Sequence, residues 1–536
     1  MIAGPSRERP ISDFGEVADN PPRVSALNPP HWFVRPRIVR CCLALFGMFA
    51  WLCAAVVIRH GVLTGSSSRF LWGTAICGVL TGIAAWVVSL RLRDTFIDSA
   101  HSRVNVFLQR GRESTAAMVD QRAGRGLVVF GCLLFAIHAT WVSQHQDAIE
   151  DDDQIDFLTL AQEIHTHGGL TGLWGDLWSG RFREANRHPL FLALLSLHPT
   201  IPFGRALSLT LAAATLVPIL YIVWRRMGPL TAGLLSVLVG TNGVWLYHAP
   251  RVVCESLLTG LAGLLWLTLW SSRDRESAEE FTPPTWGFSV GAGILSGLIQ
   301  LTKGTGLLLF AGTAVAIALS VLFPATHRRR GIAGLVAFTL SCVLIASPLL
   351  VRNSIRFGSS TYNVNSYLLW VDAYESPNAM AERMTLAEAR TAYLSTHSTG
   401  SLIEREASGL AWEAFIGLRT LGPAPWDDAR VLFGLPLFLL GLLGLCFIPR
   451  FPALVLLLWT GLVWVTMAWY VPIAAGDRFA MPLLIPWLTA AALGMERLVL
   501  NPEGSPVRVR ALVMGALLWG ALATLGTLTR HDLWSV

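Results

Sequence analysis

The chain has 536 residues, 53% hydrophobic and 14% charged, with a mean hydropathy of +0.52 and a formal net charge of +6. Soluble domains carry roughly 25% charged residues, so a soluble globular fold is excluded. The positive balance is no sign of a nucleic-acid partner, because most of the arginines sit in short connectors between apolar runs, where they set membrane topology.

Residues 1–37 contain Pro and Arg but no early apolar core, which predicts a disordered cytoplasmic tail and no cleavable signal peptide. Apolar runs able to cross a hydrocarbon core of about 30 Å then follow at 38–58, 69–90, 126–144, 206–224, 229–247, 253–271, 286–302, 305–323, 331–350, 430–448, 452–470, 480–498 and 510–528. The expected fold class is an all-α polytopic membrane protein, a bundle of about 13 transmembrane helices. Its parts are the tail, an extra helix pair with a basic connector (38–125), a core (126–500) and a last helix with the C-terminus (501–536). The eight cysteines include no CxxC pair, so neither a disulfide framework nor a zinc knuckle is indicated.

If the spans alternate, one side collects the arginines at 91–125, Arg225-Arg226, Arg273 with Arg275, Arg328-Arg329-Arg330, Arg450, and Arg508 with Arg510. The positive-inside rule makes that side cytoplasmic. The expected location is the cytoplasmic (inner) membrane, with the N-terminus inside and the C-terminus outside. The outer face receives two long stretches, 145–205 and 351–429, and short loops at 248–252, 302–304 and 471–479. Together these hold Asp152, Asp153, His188, Arg251, Glu255, Lys303, Arg352, Asn353, Asp477 and Arg478.

The first outer stretch opens with Glu150-Asp151-Asp152-Asp153-Gln154-Ile155-Asp156-Phe157. Phe157, Leu160, Ala161 and Ile164 recur at helical spacing, an apolar stripe that predicts a packed face. One turn back along it lies Asp153, whereas Asp152 and Asp156 fall on a polar stripe. A plain alternative is that the acids serve only the helix N-terminus through its dipole. Further on, Arg187-His188-Pro189-Leu190-Phe191 carries a helix-start proline. His188 before it is open to three roles: base, phosphate donor or interfacial residue.

These segments resemble GT-C type polyprenyl-phosphate-dependent glycosyltransferases, the group of aminoarabinose transferases and protein O-mannosyltransferases. The family's Asp-Glu pair, aromatic and small residue read here as Asp153-Gln154, Phe157 and Ala161, with Gln154 in place of the acid. Its basic-Pro-Pro-Leu-aromatic segment is similar to Arg187 through Phe191. Further matches are Arg225-Arg226-Met227-Gly228, Glu255 opening a span, and Leu301-Thr302-Lys303. They continue with Pro348 to Asn353 with Phe357-Gly358, and Arg478-Phe479 with Pro482 and Pro486. The resemblance covers about 126–500.

It implies inverting transfer of a sugar from a polyprenyl-phosphate donor to a hydroxyl of a glycan, lipid or protein at the outer leaflet, with the bilayer as a further partner. In that reading Asp153, with Asp152 beside it, supplies the catalytic carboxylate. Arg478, Lys303 and Arg352, with His188, Arg187 and Glu255, contact the donor phosphate or substrate. Metal dependence is left open: no cofactor is certain, and a carboxylate pair such as Asp153 with Glu255 could hold a divalent cation. For the cations the plain alternative is snorkelling to lipid headgroups, and for Glu255 a salt bridge to Arg251 or another cation. Competing functions are a transporter or flippase of lipid-linked sugars and a surface-polysaccharide ligase or polymerase. Residues 351–429, rich in Tyr and Trp, are expected to lie over the site.

Overall fold

A computed structural model describes residues 115–145, 152–270, 285–322, 328–424, 430–474, 476–499 and 506–529. The first two predicted spans, the tail and most of the basic connector lie outside these residues. Among the described residues the structure is helical, without strands beyond one isolated bridge between Asn242 and Pro423.

The eleven remaining predicted spans all appear as helices. In chain order they are α1 (Thr115–His145), α5 (Ile201–Arg226), α6 (Pro229–Gly240) with α7 (Gly243–His248), and α8 (Glu255–Thr268). Then come α9 (Trp286–Thr302), α10 (Gly306–Leu322), α11 (Arg328–Phe357), α15 (Val431–Leu445), α16 (Arg450–Tyr470), α17 (Asp477–Val499) and α18 (Pro506–Thr529). Among the described residues six helices are long and apolar enough to cross a membrane, and α6, α8, α9, α10 and α15 are shorter apolar helices. The outer stretches fold as α2 (Asp152–Thr166), α3 (Gly169–Ser179) and α4 (Pro189–Leu195), then a 3-10 turn (Val364–Trp370), α12 (Pro377–Arg383), α13 (Leu386–Thr396) and α14 (Thr399–Leu421).

One expectation needs correcting. The run 229–247 is not a single span: it breaks at Thr241-Asn242, where Asn242 caps α7 by accepting the Trp245 N–H at 2.9 Å. The groups freed by the break are taken up by the end of α14. Asn242 Nδ2 donates to the carbonyls of Thr420 (2.8 Å) and Gly422 (3.1 Å), and Ala424 N–H donates to Thr241 O at 2.7 Å. Irregular backbone at membrane depth is tolerated when protein covers it in this way. The junction also fastens the second outer stretch to the bundle.

Packing explains the rest. α1 and α6 approach closely because Gly131 and Gly240 face each other's backbones and leave no room for a Cβ. Trp266 and Trp459 are fully buried yet satisfied, donating to Pro452 O (2.9 Å) and Leu309 O (2.9 Å). At the opposite end from the outer helices, Arg226 donates to the carbonyls of Leu267 and Trp270 that end α8, a cationic cap suited to a helix C-terminus. In the first outer stretch Phe157, Ala161, Ile164, Leu173, Leu177, Phe191, Leu192 and Leu195 form their own core against Val252–Cys254. The predicted stripe on α2 is therefore the packed face.

This topology is checked by labelling. On a cysteine-free background, exposed Ser395→Cys in α13 reacts with a membrane-impermeant maleimide in intact cells, and exposed Arg328→Cys reacts only after lysis. The reverse pattern would invert the assignment of faces.

Candidate functional site

α2 presents Asp153 one turn before Phe157, with its side chain 34% exposed. The next residue, Gln154, points inward and is 5% exposed; its Oε1 accepts the Val252 N–H at 2.9 Å. That bond docks the segment before α8 onto α2. Where the resemblance expects an acid, the side chain thus serves as a backbone acceptor.

Two arginines from distant segments meet the Asp153 carboxylate. Arg187 Nη2 donates to Oδ1 at 2.8 Å, and Arg478 Nη1 donates to Oδ2. Arg187 also pairs with Asp156 at 2.5 Å and lies over the Phe157 ring, 5.7 Å from its centre. Its position comes from a turn in which Glu184 Oε1 accepts the N–H groups of Asn186 (2.6 Å) and Arg187 (2.9 Å), before Pro189 starts α4. Arg478 is set by its neighbour. Asp477, 13% exposed, accepts from Arg419 (3.0 Å), Arg430 (2.8 Å) and Thr420 (3.2 Å), which ties the start of α17 to α14 and α15.

A second ion pair stands beside the first. Glu255, 5% exposed at the start of α8, accepts from Lys303 Nζ at 2.6 Å, and its other oxygen is buried without a hydrogen-bond partner. Burial pulls the Lys303 ammonium down, but the Glu255 carboxylate outweighs it and holds the amine above its ordinary range. Lys303 and Arg478 both face the Phe479 ring, at 5.9 and 5.2 Å. The two ion pairs thus share one aromatic wall.

His188 and Arg352 complete the group. His188 precedes α4, and its Nδ1 bonds the carbonyl oxygen of Gln300 at the end of α9. Burial pushes its pKa down to about 4, the carbonyl bond opposes this, and the Arg352 and Lys303 charges add to the fall. Arg352 is 2% exposed, between the rings of Phe182 (5.4 Å) and Phe357 (5.3 Å), and donates to the Glu184 carbonyl.

Of the residues singled out from sequence, Asp153, Arg187, Arg478, Glu255, Lys303, His188 and Arg352 come together at the outer ends of α2, α8, α9, α11 and α17. The Asp152 side chain lies outside the described residues. Among those described, no three His, Cys, Asp or Glu side chains converge as a cation cage, and a divalent ion between Asp153 and Glu255 would have to displace Arg187, Arg478 and Lys303. Sequence reasoning missed the Asp477 clamp, the turn-forming Glu184 and the asparagines Asn186, Asn363 and Asn365. Only the Asp-Arg adjacency at 477–478 gave a signal, since the other contacts depend on chain crossings.

No family model matches the chain, and no curated protein matches it in sequence. Solved structures give backbone likenesses. ArnT from Cupriavidus metallidurans in the apo state is 15% identical, aligned over 72% of this chain and 62% of its own, with a TM-score of 0.43. The archaeal oligosaccharyltransferase AglB from Archaeoglobus fulgidus, in complex with an inhibitory peptide and a dolichol-phosphate, is 15% identical over 76% of this chain and 55% of its own, with a TM-score of 0.40. The chain therefore spans under two thirds of either protein. The functional reading is built on this chain's own residues.

One buried acid lies behind the site. Glu413 on α14 is 6% exposed; burial, with the Asp477 charge adding to it, pushes its carboxyl from 4.5 up to about 8. The unfolded chain gives up that proton more readily, so the contribution to stability is full below about 4.5 and fades as pH rises through 8. Glu413→Gln removes this dependence. The melting temperature of the variant relative to wild type should climb between pH 5 and pH 8; a pH-independent difference would contradict the assignment.

Proposed function

We propose that this chain is a membrane glycosyltransferase that moves a sugar from a polyprenyl-phosphate donor to an acceptor hydroxyl at the outer face of the membrane, inverting at the anomeric carbon. The observation that carries this is the Asp153 carboxylate held between Arg187 and Arg478, with Lys303 across the Phe479 ring. A base and phosphate-binding cations are gathered at one membrane surface. Five cations (Arg187, Arg251, Lys303, Arg352, Arg478) face four carboxylates (Asp153, Asp156, Glu184, Glu255), a positive balance that attracts an anion.

The chemistry follows from that balance. The donor is a phosphodiester with one negative charge, and the departing lipid phosphate carries two. Cations near the leaving oxygen therefore bind the transition state more tightly than the ground state, which lowers the barrier. Arg478 and Lys303 serve this role, arginine through its paired donors. Donor phosphate competes for Arg478 and releases Asp153 Oδ2. That oxygen takes the acceptor proton as the new carbon–oxygen bond forms, and the electron pair of the broken bond leaves on the lipid phosphate. Arg187 keeps Oδ1 and aims the carboxylate. Arg352, covered by two rings, supports the first outer stretch beneath the phosphate. A flippase would place its polar groups near the bilayer midplane; this cluster sits where the helices end.

Radiolabelled polyprenyl-phosphate hexoses and pentoses, offered to purified protein in nanodiscs, test the reading. Wild type should turn over at least one donor. Asp153→Asn should lose about 10²- to 10⁴-fold in rate while still binding sugar-free polyprenyl phosphate. Equal rates would remove Asp153 as base, and a wild type inert to every donor would refute the transferase.

A further inference from the structure

Beside the ion pairs lies a small uncharged site formed by both outer stretches. Asn363 caps the 3-10 turn, its Oδ1 accepting the Asn365 N–H at 2.9 Å, so its Nδ2 is left to point the other way. Asn365 Nδ2 donates to Asn186 Oδ1 at 2.5 Å, which ties this turn to the residues just before His188. The Asn363 amide nitrogen comes to rest on the bare face of Gly304, where a Cβ would overlap it. The same Cβ would lie 3.6 Å from His188 Nε2. Glycine at 304 thus lets the Asn363 amide N–H₂ lie against the chain beside one imidazole nitrogen, directly after Lys303.

The roles of these two groups are fixed by their other bonds. A carbonyl oxygen only accepts, so the neutral His188 ring carries its proton on Nδ1, facing Gln300 O, and Nε2 presents a bare lone pair. Among the described residues Nε2 bonds no protein group. The two side chains therefore offer one acceptor and one donor. A phosphate oxygen can accept from Asn363 but has nothing to give Nε2, and its charge would meet a lone pair. A hydroxyl satisfies both at once, donating to Nε2 and accepting from Asn363 Nδ2.

We infer that His188 Nε2 and Asn363 Nδ2, brought together beside the bare α-carbon of Gly304, form a subsite that binds a substrate hydroxyl and not the donor phosphate. The inference rests on the transferase reading and, of the roles open to His188, assigns it to a substrate hydroxyl and not to the phosphate. The hydroxyl has two sources, the sugar on the donor or the acceptor alcohol.

His188→Asn is the informative variant, because an asparagine amide can still donate to Gln300 O in place of Nδ1 yet has no atom at Nε2. Dissociation constants are measured for sugar-free undecaprenyl phosphate and for the undecaprenyl-phosphate sugar that wild type turns over. The expected result is unchanged binding of the sugar-free lipid and a roughly 5- to 100-fold weaker binding of the sugar-loaded one, the range for an orphaned buried hydrogen-bond partner. His188→Gln, which restores an acceptor near Nε2, should recover part of the loss. Gly304→Ala should reproduce it by displacing Asn363.

Unchanged donor binding and acceptor-free hydrolysis, with slower transfer to a total membrane extract, would assign the subsite to the acceptor hydroxyl. Equal loss for both lipids would make His188 a phosphate contact and overturn the inference while leaving the transferase intact. No change in any variant would overturn it too. A wild type that binds neither lipid removes both readings together.

Discussion

The arrangement of the outer face depends on one carboxylate shared by two guanidinium groups. Asp153 receives Arg187 from 34 residues along the chain and Arg478 from 325 residues away. Charge-assisted bonds are shorter and about twice as strong as neutral ones, so this junction sets the register of α2 against α17. Removing Asp153 would leave two cations facing each other at a half-buried site, the costly way to break an ion pair. The junction is thereby a fastening that only a ligand with its own negative charge can open without that cost.

A chain of backbone accounting explains why Arg478 stands where it does. Breaking α6 from α7 frees carbonyl and amide groups at membrane depth, and the end of α14 satisfies them through Thr420, Gly422 and Ala424. With α14 so anchored, Thr420 and Arg419 reach Asp477, and Arg430 reaches it from the start of α15. Asp477 opens α17, so the clamp fixes the direction in which the next residue, Arg478, leaves the helix. The second outer stretch is thus coupled to the site through its far end, as well as through Asn363 and Asn365 at its near end. A substitution at Asn242 would reach the Asp153 carboxylate by this route.

Much of this was legible in the sequence. The apolar runs marked the helices because bilayer thickness imposes their length, and the α2 stripe marked its buried face because packing follows helical period. The placement of Asp153, Glu255, Lys303 and Arg478 on one face followed from charge placement at span ends, and Arg187 came from the resemblance. What stayed hidden depends on long-range partners. The break at Thr241-Asn242 lies in an apolar run, and its stability comes from residues about 180 positions later. Arg352 looked like the other span-end cations, yet two rings and a carbonyl cover it, which no local pattern encodes. The state of His188 depends on the Gln300 carbonyl and on charges from two other segments.

The departure at Gln154 is where sequence and geometry meet most directly. An acid there could accept the same Val252 N–H, so the docking of α2 on the segment before α8 does not require a neutral residue. What a carboxylate would change is the charge beside Asp153. A second negative group would compete for Arg187 and Arg478, and in a site 5% exposed it would carry the desolvation cost of a buried ion with no cation assigned to it. Glutamine keeps the acceptor and removes the charge. Arg478 then stays on Asp153 and Arg187 on Asp153 and Asp156, so the neutral substitution suits a site organised around fixed cations.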